Sequence, residues 1–494
     1  MTRFLSMSFF RVYAAWLLLP FMGVLFGILA STANPLIIGM SASSFMGLLL
    51  IGKPTWIVDL VIVLGLLVGG LVILFFGDLA VKMVWGVSIL GFMLLGLALY
   101  KLVTTHQVIE NTPVFIWIAL LFFVYSLVDS ILQLDSASEM IGGFKRYYQV
   151  WGLLFGLCWL GFTKKEVERW CKIVMGICLL QAPFCLYQNL VLVPIREEYV
   201  ASIPGLEPID VVAGTFGANM LGGGNNAEMA TVLIMVFAFL LARFKEKILP
   251  VKKLFWISVI LLSPLVMGET KIVVLLFPMM FFALYRKELL SRPHYAVMAL
   301  ILGVIFMAIT LNVYMIMTKM SLDQLVFDTL KYNVYEIGYG NCYLNRTTVL
   351  TYWGQHQSLA DPISFLFGNG LGSAREGDST GAGSGHIDAL HPGYCVGLTG
   401  VSMLLWELGV FGIGLYLLMM MLVWRCANQL MARSANPEVR ADAAAIQSSV
   451  AIFIFYPLYR DTLLSEFSFQ LIFTSMLGYL AWLQRQEKME KKHE

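Results

Sequence analysis

The sequence predicts an all-α polytopic membrane protein, and three observations carry that prediction. Of the 494 residues, 59% are hydrophobic and 13% charged, against about 25% charged in a soluble domain. Mean hydropathy is +0.79. Apolar runs close to the roughly 20 residues that a bilayer crossing requires recur along the whole chain.

Those runs fall near 9–31, 35–51, 55–76, 83–100, 113–133, 148–163, 171–193, 227–242, 254–269, 272–285, 295–317, 396–424, 445–458 and 466–483. They make about 14 candidate spans, with 12 as the lower bound. The first follows a basic start and has no small-residue cleavage site, so it reads as a retained helix rather than a signal peptide. Most of the 33 basic residues cluster at 164–172, 243–253, 286–292, 425–440 and 485–492. Under the positive-inside rule these segments and both termini are cytoplasmic. The chain then divides into 1–318 (eleven helices with short loops), a large outer loop at 319–395, and 396–494 (the last helices and a basic tail). The outer side is the periplasm if the cell is a Gram-negative bacterium.

Composition also narrows function. A net charge of +2 carries no nucleic-acid footprint, and the seven cysteines show no metal-ligand spacing. Internal repeats are not evident. Cys342 and Cys395 are the only cysteines of the outer loop and sit near its ends, so an oxidising compartment would let them pair.

The unusual feature is a set of cations on the outer side: Lys145, Arg146, Arg196, Lys271, Arg346, Arg375 and Arg460. Insertion statistics disfavour basic residues there. Either an anionic ligand compensates them, or carboxylates such as Glu139, Glu269 and Asp461 do.

Four segments concentrate polar chemistry. AGTFGANMLGGGNNAEM, 213–229, is a Gly- and Asn-rich loop entering a helix. Helix N-termini favour anions, and Asn225 and Asn226 are donors for sugar or phosphate oxygens; the glycines alternatively serve backbone geometry alone. Lys271 lies between two apolar runs, where an ionisable side chain marks a functional position unless it snorkels to the interface. Arg346 heads a helix bearing Trp353, followed by the GNGLG turn at 368–372; its planar fork suits a diphosphate. His386 and His391 precede the next apolar run and are candidate proton acceptors near neutral pH.

In this order the segments resemble the O-antigen ligase and polymerase superfamily, integral membrane glycosyltransferases of the GT-C type. The resemblance rests on GTFGAN at 214–219, Thr270-Lys271, Arg346 with Trp353 and GNGLG, and His391 followed by Glu407-Leu-Gly409-Val-Phe-Gly412. It covers about residues 180–425. Lys271 stands where the family carries Arg, and Pro392 follows His391 where Asn is usual, which leaves the choice between His391 and His386 open.

The resemblance implies a polyprenyl-diphosphate-linked oligosaccharide as donor, membrane lipids as surroundings, no metal or other cofactor, and no nucleic acid. Lys145, Arg146, Arg196, Lys271, Arg346 and Arg375 would hold the diphosphate; Asn225, Asn226, Trp353 and Tyr394 would hold the glycan. His391, His386 and Arg346 are the catalytic candidates. The acceptor is either a second lipid-linked glycan (a polymerase) or a lipid A core or protein (a ligase), with other polysaccharide-assembly proteins as possible partners. A transporter and a secretion-complex subunit are the competing classes.

Overall fold

A computed structural model of the chain describes residues 20–133 other than 22, 136–200, 207–268 other than 221, 270–292, 321–335, 342–377 and 384–493, with isolated positions between 294 and 315 and at 338. The expected helix at 9–31 lies largely, and that at 295–317 mostly, outside the described residues. Glu269, one candidate partner of Lys271, also lies outside them.

Among the described residues the protein is helical without β-strands, and seven helices are long and apolar enough to cross a membrane. They are Pro54–Phe76, Trp85–Thr104, Val114–Leu132, Lys164–Tyr199, Asn226–Lys245, Gly400–Arg433 and Pro437–Tyr459. Some of them start on side-chain caps. Thr163 and Glu166 form a reciprocal capping box, and Asn436 accepts from Glu438 N before a proline at the first helical position.

Several expected spans are shorter than a crossing. Where an apolar run predicts one helix over 148–163, the chain forms an amphipathic helix, Ala137–Tyr148, and then a nine-residue helix, Trp151–Trp159. Nine residues rise about 14 Å, roughly half of a hydrocarbon core. Every residue of that short helix is buried, so its apolarity serves the protein core rather than lipid. Pro35–Leu50 (16 residues) and Val251–Met267 (17 residues) also fall short.

Helix association in lipid lacks a hydrophobic driving force and relies on close backbone approach. Trp151–Trp159 packs against both the Asp78–Thr104 helix and the C-terminal helix Phe467–His493. Gly91 and Gly152 permit the first of these contacts: a Cβ on Gly152 would lie 2.1 Å from Gly91 O, and one on Gly91 2.0 Å from Gln149 O. Phe122, Tyr148, Trp151, Phe155 and Trp159 interlock around this crossing.

The bundle has two chemically distinct ends. At one, Arg243 pairs with Asp442, Lys245 with Glu288 and Arg440 with Glu246. At the other sits the 319–395 segment, whose described residues include four short helices, Leu322–Asn333, Thr348–His356, Pro362–Phe367 and His386–Leu390. A disulfide between Cys342 and Cys395 ties this segment together. The bond spans a sequence separation of 53, for which chain entropy predicts about 4 kcal/mol of stabilisation. Reduction, or Cys342→Ser, should therefore accelerate protease cleavage between 342 and 395 while the helical bundle stays intact. Equal cleavage rates with and without reductant would show that the bond does not hold this segment.

Candidate functional site

The 213–226 loop is fastened from below. Gln181 and Gln188 lie seven residues apart on one helix and grip it at two points. Gln181 Oε1 accepts from Thr215 N, and Gln188 both donates to Gly214 O and accepts from Gly214 N. Gly214 and Gly217 have φ of +58° and +106°, which explains the glycines at these two points. Asn225 Nδ2 closes the loop on Phe216 O, and Asn226 Oδ1 accepts from Ala227 N.

Arg196 departs from its expected role. It is fully buried, and its guanidinium donates to the carbonyls of Asn219 and Gly222. A cation spent on backbone acceptors inside the protein shapes the loop rather than meeting a diphosphate directly.

Around that loop the basic residues converge. Glu228, in the first turn of Asn226–Lys245, is 1% exposed; it pairs with Arg460 at 3.2 Å and accepts from Tyr456 and Thr462. Arg146 pairs with Asp461 at 2.9 Å. Glu466 is the weak acceptor of Asn225 Nδ2. Its carboxyl is held high by burial and by Glu228 and Asp461, against the pull of Arg460 and Lys145. Burial likewise raises Asp210, while Arg196, Arg460 and Lys271 pull it down.

Arg346 donates to Tyr459 O and Asn333 Oδ1 and stacks on the Tyr459 ring at 4.3 Å. Lys145 lies 5.0 Å over the Trp85 ring. Six cations (Lys145, Arg146, Arg196, Lys271, Arg346, Arg460) thus gather around the carboxyl groups of Asp210, Glu228, Asp461 and Glu466.

The amphipathic helix Ala137–Tyr148 organises the remaining groups on one face. Glu139 Oε1 lies 2.7 Å from His386 Nδ1, and Glu139 Oε2 accepts from His386 N at 3.0 Å. A Cβ on Gly142 would stand 2.4 Å from Arg375 Nη1, and one on Gly143 would meet the backbone of Leu371 and Gly372. Arg146 follows one turn later. His386, Arg375 and Arg146 are therefore brought to one short helix from distant sequence positions.

His391 belongs to a different cluster. Its Nδ1 is 2.8 Å from Tyr352 Oη, and its ring packs edge-on to His356 and beside Trp406. Tyr394 stacks on Tyr352, and Trp353 on Phe365, so both proposed glycan platforms already carry an aromatic partner on one face. Burial, and then the neighbouring His356, hold the His391 imidazole below its ordinary value. Burial and Glu376 push Asp388 up to about 6.

The sign of the His391 effect follows. As pH falls below about 6.5, an unfolded imidazole takes up a proton that the folded one refuses, so stability declines until pH passes below the depressed folded value. Asp388 acts oppositely, because the folded carboxyl is protonated first. Comparing the parent with His391→Gln cancels Asp388. Loop proteolysis should speed up between pH 7.5 and 5.5 more in the parent than in the variant; identical profiles would leave His391 without a titrating role.

Two buried acids escaped attention as site residues. The Gly400–Arg433 helix breaks at Gly409, whose φ and ψ are 62° and −168°. The carbonyls freed there accept from the GNGLG turn and from Tyr125: Asn369 N and Nδ2 donate to Trp406 O, Gly370 N to Glu407 O, and Tyr125 Oη to Leu408 O. Glu407, fully buried, accepts from Ala374 N, and Asp129 lies buried close by. An acid inside an apolar helix was the available signal. No known protein-family model matches this chain, and no curated protein matches it.

Proposed function

We propose that this protein polymerises a bacterial surface polysaccharide by transferring a polyprenyl-diphosphate-linked glycan to a sugar hydroxyl at the outer face of the plasma membrane. The observation that carries this reading is the gathering of cations from five distant segments, beside a carboxylate-held imidazole at one end of a membrane-embedded helix bundle. The disulfide supports an oxidising, periplasmic location for that end, and the basic opposite end supports cytoplasmic termini.

The chemistry follows from charge bookkeeping. An acceptor hydroxyl gives its proton to an imidazole while its oxygen attacks the anomeric carbon. The bond from that carbon to the diphosphate breaks, and its electron pair leaves on the diphosphate. The diphosphate gains negative charge as it departs, which Lys145, Arg146, Lys271 and Arg346 stabilise electrostatically. We assign the base to His386, because Glu139 orients its ring through Nδ1 and leaves Nε2 to accept. His391 instead belongs to the Tyr352 wall. Arg146 and Arg460 already have carboxylate partners, so the diphosphate must compete for them.

A ligase shares this chemistry and differs only in acceptor. A transporter draws support from the broken helix and buried Glu407. The break, however, lies nine residues from the helix start, and residues 410–433 are by themselves long enough to cross. A break at the boundary fits a lid over an outer site better than a gate at mid-membrane. The deciding experiment incubates purified protein with a lipid-diphosphate oligosaccharide. Elongated glycan supports a polymerase; its absence, with precursor stranded on the inner leaflet of cells lacking the protein, supports a transporter.

A further inference from the structure

Val114–Leu132 gives a depth scale for the end of the bundle that holds the 319–395 segment. Its 19 residues rise about 28 Å, close to one hydrocarbon core. A stripe of exposed apolar side chains, Leu121, Val124, Val128, Ile131 and Leu132, follows it to its last turn. The chain leaving Pro362–Phe367 climbs this helix. Tyr125 Oη donates to Phe367 O at 3.0 Å, and four residues later Leu371 N donates to Ser130 Oγ at 2.8 Å. A Cβ on Gly370, between them, would lie 3.5 Å from Gln133 Cβ. Tyr125 precedes Leu132 by seven residues, or about 10 Å along the helix. A helical side chain leans towards its own N-terminus, so Phe367 lies about that far below the helix end, in the outermost third of a hydrocarbon core. The surface presented there is apolar. Ile363 is 60% exposed and Phe367 42%, and Val410 and Phe411, just past the break at Gly409, are exposed beside them. The backbone is equally suited to hydrocarbon. Where the helix ends, Gly368 N donates to Ser364 O, Asn369 N to Trp406 O and Gly370 N to Glu407 O. Irregular backbone persists at membrane depth only where the protein satisfies it in this way.

We propose that Pro362–Phe367 is an interfacial helix, with Ile363, Leu366 and Phe367 inserted among the acyl chains of the leaflet at this end of the bundle. Helices that lie in the interface bury their apolar side about 5–10 Å into the boundary between headgroups and chains, which is the depth that Tyr125 sets. The occupant is lipid because the patch continues the exposed stripe of Val114–Leu132, and that helix itself holds the patch through Tyr125. Asp361, at the start of the short helix, turns its carboxylate back to cap Ser364 N, so the polar end of the helix stays at the headgroup level. Part of the polar 319–395 segment is therefore inside the bilayer. This inference needs the bundle to be in a membrane and does not use the transferase reading.

The test places the full-length protein in phosphatidylcholine nanodiscs in which some of the lipid carries a photoreactive diazirine part-way along one acyl chain. Irradiation should label residues 362–367 at least about five-fold more than residues 348–356 of the same segment, with Val114–Leu132 labelled in parallel. A second measurement uses water as the probe. Ile363 and Gln355 are both exposed on the protein surface, yet a membrane-impermeant maleimide should modify Ile363→Cys at least about ten-fold more slowly than Gln355→Cys, because lipid covers only the first. Labelling of 362–367 no stronger than that of 348–356, or equal maleimide rates at the two positions, overturns the proposal and leaves the apolar surface to a protein partner. Neither readout involves glycan, so a protein that fails to elongate glycan still decides the point.

Discussion

Gly409→Ala should destabilise the protein by about 2–6 kcal/mol. With φ 62° and ψ −168°, the backbone occupies a region open essentially to glycine, at a cost of about 1–3 kcal/mol for any other residue. Space adds a second penalty. A Cβ would lie 2.4 Å from the carbonyl C and O of Leu366, which are backbone atoms, and relieving such overlap costs about 1–3 kcal/mol more. Movement there also pulls Gly368 away from Glu407 and Leu408, against whose backbone it lies, and weakens the Asn369 bonds to Trp406 O. Gly414, five residues on in the same helix, has nothing within 4 Å of its built Cβ, so Gly414→Ala should stay within about 1 kcal/mol of the parent. Thermal unfolding of the two variants in detergent makes the comparison. If both melt with the parent, the break at Gly409 is not the support of the loop end that its geometry indicates.

The fold was most legible where a helix is apolar along its length. Val114–Leu132 and Asn226–Lys245 lie within a few residues of the runs that predict them. Hydropathy failed where a helix spends polar residues inside the protein. Pro437–Tyr459 starts eight residues before its apolar run because Arg440 and Asp442 belong to it, paired with Glu246 and Arg243, and Asn436 caps its start through Glu438 N. It failed again at 148–163, where apolar residues line a core rather than a bilayer. Periodicity cannot distinguish those two solvents, and that is why the number of long apolar helices among the described residues is seven, below the expected count.

At the candidate site, residue types were readable but partnerships were not. An Arg on the outer side of a membrane protein stands out in a sequence, yet nothing local says that Arg196 turns inward to backbone carbonyls or that Arg146 meets Asp461 across 315 positions. The two histidines looked alike, five residues apart. Tertiary structure separated them, because residue 386 meets a carboxylate on Ala137–Tyr148 and residue 391 meets a phenol on Thr348–His356. The Gly142-Gly143 pair, which lets Arg375 and the 371–372 backbone approach that helix, had no meaning until its neighbours were known.

That separation makes the second large effect specific. His386→Ala should lower glycan transfer by about 10²–10⁴-fold, the usual contribution of a positioned general base, whereas His391→Ala should lower it by less than about ten-fold. Glu139→Gln should fall between them: the amide still accepts from His386 N but no longer stabilises an imidazolium at Nδ1. A purely structural role predicts something else, namely loss of transfer in proportion to loss of folded protein. The measurement therefore pairs elongation rate with melting temperature. His386→Ala should be inactive while melting near the parent. An active His386→Ala together with an inactive His391→Ala transfers the role to the Tyr352 cluster, and full activity in both histidine variants leaves a carboxylate such as Asp388 as the base.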